Sequence, residues 1–298
     1  MPRSSPVEFC IFNMEKKFCD LHLHSLCSDG SDTPTELCKR AKNLGMSAIA
    51  LTDHNTISGL REFAKACDDF GIEGVPSIEI TTEHEGKELH VVGLFLNEKA
   101  FVALGDFLAE LCKTKIQSNK NLIQSLKNAG YSVSWDELVK FSPQGNINRA
   151  VIALYLVEKG ILQTVKEGFK TILSEKAGHY KPAKRPKTLE TVKFLSDLGV
   201  VSILAHPFIS LEKDEVLSLL PKAKEQGLCG IETNYSLYDE ATHEFALKTA
   251  NDFSLLASGG SDYHGNAKPT IEIGCSKVPY EYYLALKQRA KELSDNLK

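Results

Sequence analysis

The chain has 298 residues, 42% apolar and 25% charged, with a net charge of −4. This composition excludes a disordered chain, and the negative balance argues against a broad basic surface, so no stable binding of duplex nucleic acid is expected. No run approaches the roughly 20 apolar residues of a membrane span, and eight cysteines without a CxxC pair read as reduced thiols, so a cytoplasmic protein without a membrane partner is expected.

Residues 1–17 lack an apolar stretch with a small-residue cleavage site and are read as an N-terminal extension. Phe18–His24 then reads as a strand. Thr33-Pro34-Thr35-Glu36 supplies an N-cap, a proline at the first helical position and a capping-box glutamate, opening a helix to about Leu44. Ser47–Thr52 reads as a strand, Ser58–Phe70 as a helix and Val75–Thr81 as a third strand. The link Thr82–Lys87 is too short for a crossover helix, so Glu88–Leu96 is expected to return as an antiparallel hairpin. The sequence then turns helical, over Phe101–Ala129, Trp135–Phe141, Arg149–Lys159 and Gln163–Leu173. Alternation resumes with strand Val200–Ala205, helix Lys213–Gln226, strand Gly230–Asn234, helix Asp239–Asn251, strand Ser254–Ser258 and helix Tyr280–Leu297. The pattern predicts an α/β fold, a distorted barrel interrupted by an all-helical insertion. Its parts are a first barrel segment at 18–98, the insertion at 99–180 and a second barrel segment at 181–298.

Six of the nine histidines fall at predicted strand ends or in the loops leaving them, where an α/β barrel builds its active-site rim. His22 and His24 stand two apart on a strand, so both face one side and can chelate an ion. Asp29 follows in a Ser-Asp-Gly turn, His54 closes the second strand and Glu79 lies near the end of the third. The hairpin brings His90 beside Glu79. His206 ends a strand in Ala-His-Pro, and Asp262 and His264 sit in Gly-Ser-Asp-Tyr-His-Gly. A lone histidine at a strand end is usually structural. Nine nitrogen and oxygen donors at one rim would instead bury charge without compensation unless they hold metal. Asp53 either orients the neighbouring ligands or caps a turn. His84, His179 and His243 are read as surface or capping histidines, Trp135 as a core anchor of the insertion, and Lys181–Lys187 as a solvated linker.

His22-Leu-His-Ser-Leu-Cys-Ser-Asp-Gly30, Leu51-Thr-Asp-His-Asn-Thr56, Leu89-His-Val-Val-Gly93, Ala205-His-Pro207 and Gly260-Ser-Asp-Tyr-His-Gly265 resemble, in order, the motifs of the PHP (polymerase and histidinol phosphatase) family. The insertion before Ala-His-Pro is similar to that of bacterial members acting on nucleoside 3′,5′-bisphosphates or the 5′ ends of short oligonucleotides. The resemblance implies a (β/α)7 barrel holding two to three divalent ions, Mn²⁺ foremost, with Fe²⁺ or Zn²⁺ as alternatives. It groups His22, His24, Glu79 and Asp262 on one ion, Glu79, His90 and His206 on a second, and Asp29, His54 and His264 on a third. It implies hydrolysis of nucleotide phosphate esters by metal-activated hydroxide, with Asp53 and Arg149 as candidate catalytic residues. Arg149 resembles a phosphate clamp that grips substrate bidentately. Relatives often follow that arginine with Pro-His, where this chain has Ala150-Val151. Competing readings are a histidinol-phosphate-type monoesterase, an amidohydrolase-type C–N hydrolase, for which Glu79 stands where a bridging lysine is wanted, and a non-catalytic PHP module, which would be expected to lose ligands.

Overall fold

The computed structural model describes residues 17–142 and 147–297. The extension predicted at 1–17 therefore lies outside the described residues, apart from Lys17. Contacts divide the described residues into two compact units, one running up to Asn97 and resuming at Thr188, the other between Glu98 and Lys187.

The first unit is built on β1 (Phe18–Leu23), α1 (Pro34–Asn43), β2 (Ala48–Leu51), α2 (Leu60–Phe70), β3 (Glu73–His84) and β4 (Lys87–Leu94). The second unit then supplies α3 (Glu98–Asn128), α4 (Trp135–Phe141), α5 (Arg149–Glu158) and α6 (Val165–Lys170). The first unit resumes with α7 (Thr188–Asp197), β5 (Val201–Ala205), α8 (Pro207–Ser210), α9 (Lys213–Glu225), β6 (Gly230–Tyr235), α10 (Glu240–Asp252), β7 (Leu256–Gly260), β8 (Val278–Pro279) and α11 (Tyr280–Asp295).

The eight strands form one sheet in the order β7-β6-β5-β4-β3-β2-β1-β8. All neighbouring long strands run parallel except at β4, which is antiparallel to both β3 and β5. The hairpin expected from the short Thr82–Lys87 link is thus present, with Thr81 opposite His90 and Glu79 opposite Val92. The sheet nearly closes into a barrel. Leu23 bridges Tyr263, Asp262 N–H donates to His22 C=O at 2.9 Å, and His24 N–H donates to Tyr263 C=O at 3.0 Å. Closure needs a glycine at Gly260, because a Cβ there would lie 2.3 Å from His22 Cβ.

Along β1 the side chains alternate. Cys19 and Leu21 join a core with Ala50, Val75, Val92, Ile203 and the α11 residues Tyr283 and Leu286. Asp20, His22 and then His24 occupy the other face, equally buried. The second unit has its own core, in which Leu122, Leu126, Leu138, Ile152 and Leu156 pack together with Trp135 at the margin.

Three local readings need correction. The predicted helix Gln163–Leu173 shortens to α6, capped by Thr164 through Glu167 N–H and ended at Thr171, whose φ −118° and ψ −114° are not helical. Helix α7 was not anticipated. Its buried stripe, Thr188, Thr191, Val192 and Leu195, has helical spacing, but two of the four are threonines that read as polar. Strand β8, two residues antiparallel to β1, also escaped the pattern. The capping box at Thr33 and Glu36 forms as expected. The described cysteines are all free thiols, and no described helix is long and apolar enough to cross a membrane.

Candidate metal centre

Each of the nine sequence-predicted ligands is carried to one end of the barrel by the strand it lies on or follows. His22 is the penultimate residue of β1, with His24 just beyond the strand. His54 follows β2, and its backbone bridges Glu79 on β3. The reversed β4 places His90 level with Ala205, the last residue of β5, so His90 reaches the rim where His206 leaves β5. Asp262 and His264 follow β7. Asp29 reaches the cluster because Gly30 crosses His24, where a Cβ would sit 2.4 Å from the His24 carbonyl oxygen.

Six imidazoles meet there. The His24 ring stacks on His264 at 4.1 Å and lies 4.5 Å from His54, His22 lies 5.1 Å from His24 and 5.7 Å from His206, and His90 lies 5.0 Å from His54 and 5.2 Å from His206. Glu79 stands among them. Its Oε1 is 2.9 Å from His90 Nδ1 and 3.2 Å from His206 Nε2, and its Oε2 is 2.9 Å from His54 Nδ1 and 3.3 Å from His24 Nε2. Donor atoms converge in four groups: His24, Asp29, His54 and His264; His22, Glu79 and His206; His22, His24 and Asp262; His54, Glu79 and His90. His24 therefore stands with Asp29 and His264 as well as with His22 and Asp262, and His22 stands with His206.

Burial disfavours charge in this cluster, and the neighbouring groups outweigh it. Against that cost, His54, His90 and His22 hold the Glu79 carboxyl well below the usual range. Glu232 and Glu79 raise His22 well above its ordinary value, and Glu79 and Glu88 push His90 up to about 10. His24 goes the other way, lowered by burial and by His54. The carboxyls of Asp29 and Asp262 are held below the ordinary range by surrounding imidazoles, against the effect of burial. Protons on these nitrogens are what a bound cation would replace.

A divalent cation fits this donor set. His22 Nε2, both ring nitrogens of His24, His54 Nδ1, His206 Nδ1 and Glu79 Oε2 are buried without a well-aligned hydrogen bond, the approach of His54 and His24 to Glu79 Oε2 being ion-pair contact alone. Such atoms are costly unless something else satisfies them. Mixed imidazole and carboxylate donors suit Mn²⁺, Fe²⁺ and Zn²⁺. The backbone is also distorted here: His206 has φ 30° and Asp262 φ 55°, left-handed conformations unusual for residues with a Cβ.

The residues around the donors hold them in place. Asp262 Oδ2 accepts from Tyr235 Oη at 2.8 Å and Lys268 Nζ at 2.7 Å, which leaves Oδ1 facing His24 Nε2 at 3.2 Å. Buried Asp20 accepts from the backbone N–H of Ser261 and Gly274 at 2.9 and 2.8 Å. It thereby ties the Asp262 loop to β1, and its own carboxyl is pushed up to about 6 by burial. Glu232 Oε1 lies 2.7 Å from His22 Nδ1. Sequence reasoning missed these four residues, Asp20, Glu232, Tyr235 and Lys268. A signal for Glu232 existed, because a strand buried on both faces has no place for an unpartnered carboxylate.

Asp53 accepts from Ser25 N–H and Oγ at 2.7 Å each and from Ser28 Oγ at 2.6 Å, so it shapes the loop that delivers Asp29. In the second unit the Arg149 guanidinium lies 4.1 Å from the Tyr180 ring centre and 5.2 Å from that of Phe169, and donates to Leu173 C=O at 3.4 Å. Of the histidines expected to be structural, His179 pairs with Ser125 Oγ and His243 with Thr233 C=O, each at 2.9 Å.

A PHP domain profile matches residues 20–186. The chain belongs to the PHP domain family. Among PHP relatives, it is 31% identical over 252 residues to a 5′-3′ exoribonuclease of Haemophilus influenzae, covering 84% of this chain and 91% of that protein. It is 29% identical over 260 residues to a 3′,5′-nucleoside bisphosphate phosphatase of Chromobacterium violaceum, covering 86% and 90%. A solved structure from Bifidobacterium adolescentis, described as a candidate metal-dependent phosphoesterase, superposes with a TM-score of 0.72 at 26% identity, covering 92% of this chain and 98% of that one.

Proposed function

We propose that this PHP protein hydrolyses phosphate esters of small nucleotides, either nucleoside 3′,5′-bisphosphates or the 5′ ends of short oligonucleotides. We assign His22, His24, Asp29, His54, Glu79, His90, His206, Asp262 and His264 as ligands of two to three divalent ions, Mn²⁺ foremost. The observation that carries the reading is the convergence of nine nitrogen and oxygen donors, with six buried atoms among five of them lacking a well-aligned hydrogen bond. Ions held there would supply positive charge for phosphate oxygens and an acidic water at neutral pH. Relatives named as an exoribonuclease and a nucleoside bisphosphate phosphatase, each matched over more than four-fifths of this chain, support the nucleotide class. A site in the cytoplasm, where such substrates occur, accords with the free thiols.

The chain's own residues supply the rest. Glu79 presents one oxygen to His90 and His206 and the other to His54 and His24, the disposition of a bridging carboxylate. Tyr235 and Lys268 immobilise Asp262, and Asp53 the Asp29 loop. Asp29 is half exposed, so substrate can approach from its side. Arg149, its plane held against aromatic rings, is proposed to recognise a substrate phosphate through its edge.

The test is a substrate panel with Mn²⁺-loaded protein: nucleoside 3′,5′-bisphosphates, short RNAs, histidinol phosphate, an aryl phosphate and a cyclic amide. Preferred turnover of the first two is expected. Preference for histidinol phosphate would favour the monoesterase reading, and turnover of the amide alone would overturn phosphoester hydrolysis.

A further inference from the structure

Glu232 is a buried carboxylate with no part in the ligand set, and both of its oxygens are used. Its Oε1 lies 2.7 Å from His22 Nδ1, where the two side chains are 0% and 2% exposed. Its Oε2 accepts from the backbone N–H of His206 at 2.7 Å. One side chain on β6 thus touches the ligand near the end of β1 and the ligand that follows β5. These same two ligands form a donor group with Glu79.

We infer that Glu232 is a positioning residue of the metal centre, which sets the occupancy of the ion shared by His22, Glu79 and His206. This rests on reading those three residues as ligands. At His22, a carboxylate accepts only from an N–H, so Nδ1 carries the proton and Nε2 presents its lone pair to the cluster. At His206, the residue sits at φ 30° and ψ 49°, a conformation a non-glycine residue adopts at a cost. The Glu232 hydrogen bond to its N–H holds that turn in place and with it the direction of the ring.

The other imidazoles show why this one matters. The nitrogen of His264 away from Asp29 lies 2.8 Å from the Asp262 carbonyl, and His90 Nε2 lies 3.1 Å from the half-exposed Glu88. Among the described residues, only in the His22–Glu79–His206 group does one carboxylate outside the donor set orient two ligands, and it does so where water cannot substitute. Glutamine at 232 has one carbonyl oxygen for two donors. Its amide N–H₂ must then face either His22 Nδ1 or the His206 N–H, which turns the ring to the wrong tautomer or frees the strained turn.

The experiment measures Mn²⁺ binding by calorimetry, with metal content by mass spectrometry, on chelated and refilled full-length protein. It compares wild type with Glu232→Gln and Glu232→Ala, and includes His22→Ala and Glu79→Gln as ligand controls. Weakening of one Mn²⁺ site by about 10- to 100-fold in Glu232→Gln is expected, with circular dichroism unchanged and the remaining sites bound as in wild type. A wild-type isotherm for Glu232→Gln beside impaired ligand controls would overturn the positioning role and leave the ligand assignment standing. Wild-type isotherms in His22→Ala and Glu79→Gln would overturn the ligand assignment and the positioning role with it. Should the Glu232 variants fail to fold, imidazole ¹⁵N spectra of the Zn²⁺-loaded wild type decide, with His22 assigned by difference from His22→Ala. A proton on Nδ1 is expected; metal on Nδ1 would overturn the inference.

Discussion

Replacing Glu79 by glutamine probes the centre at a carboxylate that two donor groups share. Glu79 is fully buried, has one oxygen 2.9 Å from His90 and the other 2.9 Å from His54, and belongs to two of the four donor groups, where Asp262 belongs to one. An ion at 100 times its Kd stabilises the folded state by about 2.7 kcal/mol. At 2–4 °C per kcal/mol for a domain near this size, that raises Tm by about 5–11 °C. Removing a bridging carboxylate and weakening binding 100-fold leaves the same ion near its Kd, where the stabilisation is about 0.4 kcal/mol and the shift under about 2 °C. In a thermal-shift titration with Mn²⁺, each protein is compared with its own chelated form. Glu79→Gln is expected to lose most of the wild-type shift, and Asp262→Asn to keep part of it. Hydrolysis should fall by orders of magnitude in both. A full wild-type shift in Glu79→Gln would refute its place as the shared ligand.

Other substitutions separate substrate recognition from support. Arg149→Ala is expected to slow hydrolysis of a nucleoside 3′,5′-bisphosphate about 10- to 150-fold, the equivalent of about 1.5–3 kcal/mol for a charged hydrogen bond, and to leave an aryl phosphate nearly unchanged; equal losses would remove Arg149 from substrate recognition. Tyr235→Phe takes one donor from Asp262 while Lys268 remains at 2.7 Å, so kcat should fall less than in Asp262→Asn, and an equal fall would show that Lys268 cannot hold the carboxylate alone. Glu73 tests acid stability: burial raises its carboxyl, but Lys287, Tyr283 and Tyr280 outweigh that and hold it at about 2, below its ordinary 4.5. Because the folded-state value is depressed, its contribution is complete above about pH 4.5 and lost as pH falls towards 2. Glu73→Gln should therefore cost no more than about 1 kcal/mol at pH 7, discounted for a side chain 43% exposed, with the gap to wild type closing near pH 2 in chemical denaturation.

The donors that converge in the cluster were legible because such residues concentrate where strands end. An alternate-residue His pair, Asp53-His54, Ala-His-Pro and Ser-Asp-Tyr-His each follow an apolar run, and the short Thr82–Lys87 link could only make a hairpin. The supporting carboxylates were not legible in the same way. Asp20 and Glu232 sit inside strands, where the sequence, even when it marks an acidic residue as buried, does not say which partner it finds. Only the closure of the barrel turns both inward, to Ser261 and Gly274 in one case and His22 and His206 in the other. Helix α7 was hidden by the threonines on its buried stripe, since a hydroxyl that finds a buried partner, as Thr188 does in Thr82 at 2.7 Å, packs as core while reading as surface. Which donors would share an ion depends on ring rotation, which spacing does not encode.

The way the barrel closes also bears on how the protein is made. Leu23 meets Tyr263, and His22 meets Asp262, across nearly the whole described chain. A ribosome working from the N-terminus delivers six of the donors by His90, then the whole of the second unit, and His206, Asp262 and His264 only late. Until Tyr263 is available, β1 lacks its closing neighbour, and His22 and His24 lack Asp262, one of the two carboxylates they share. A partly made chain thus carries six donors without the three that complete the cluster. Contacts this distant in sequence form slowly, so completion of the centre belongs to the last stage of folding, and a transcript cut short before codon 264 yields a chain with donors but no finished site.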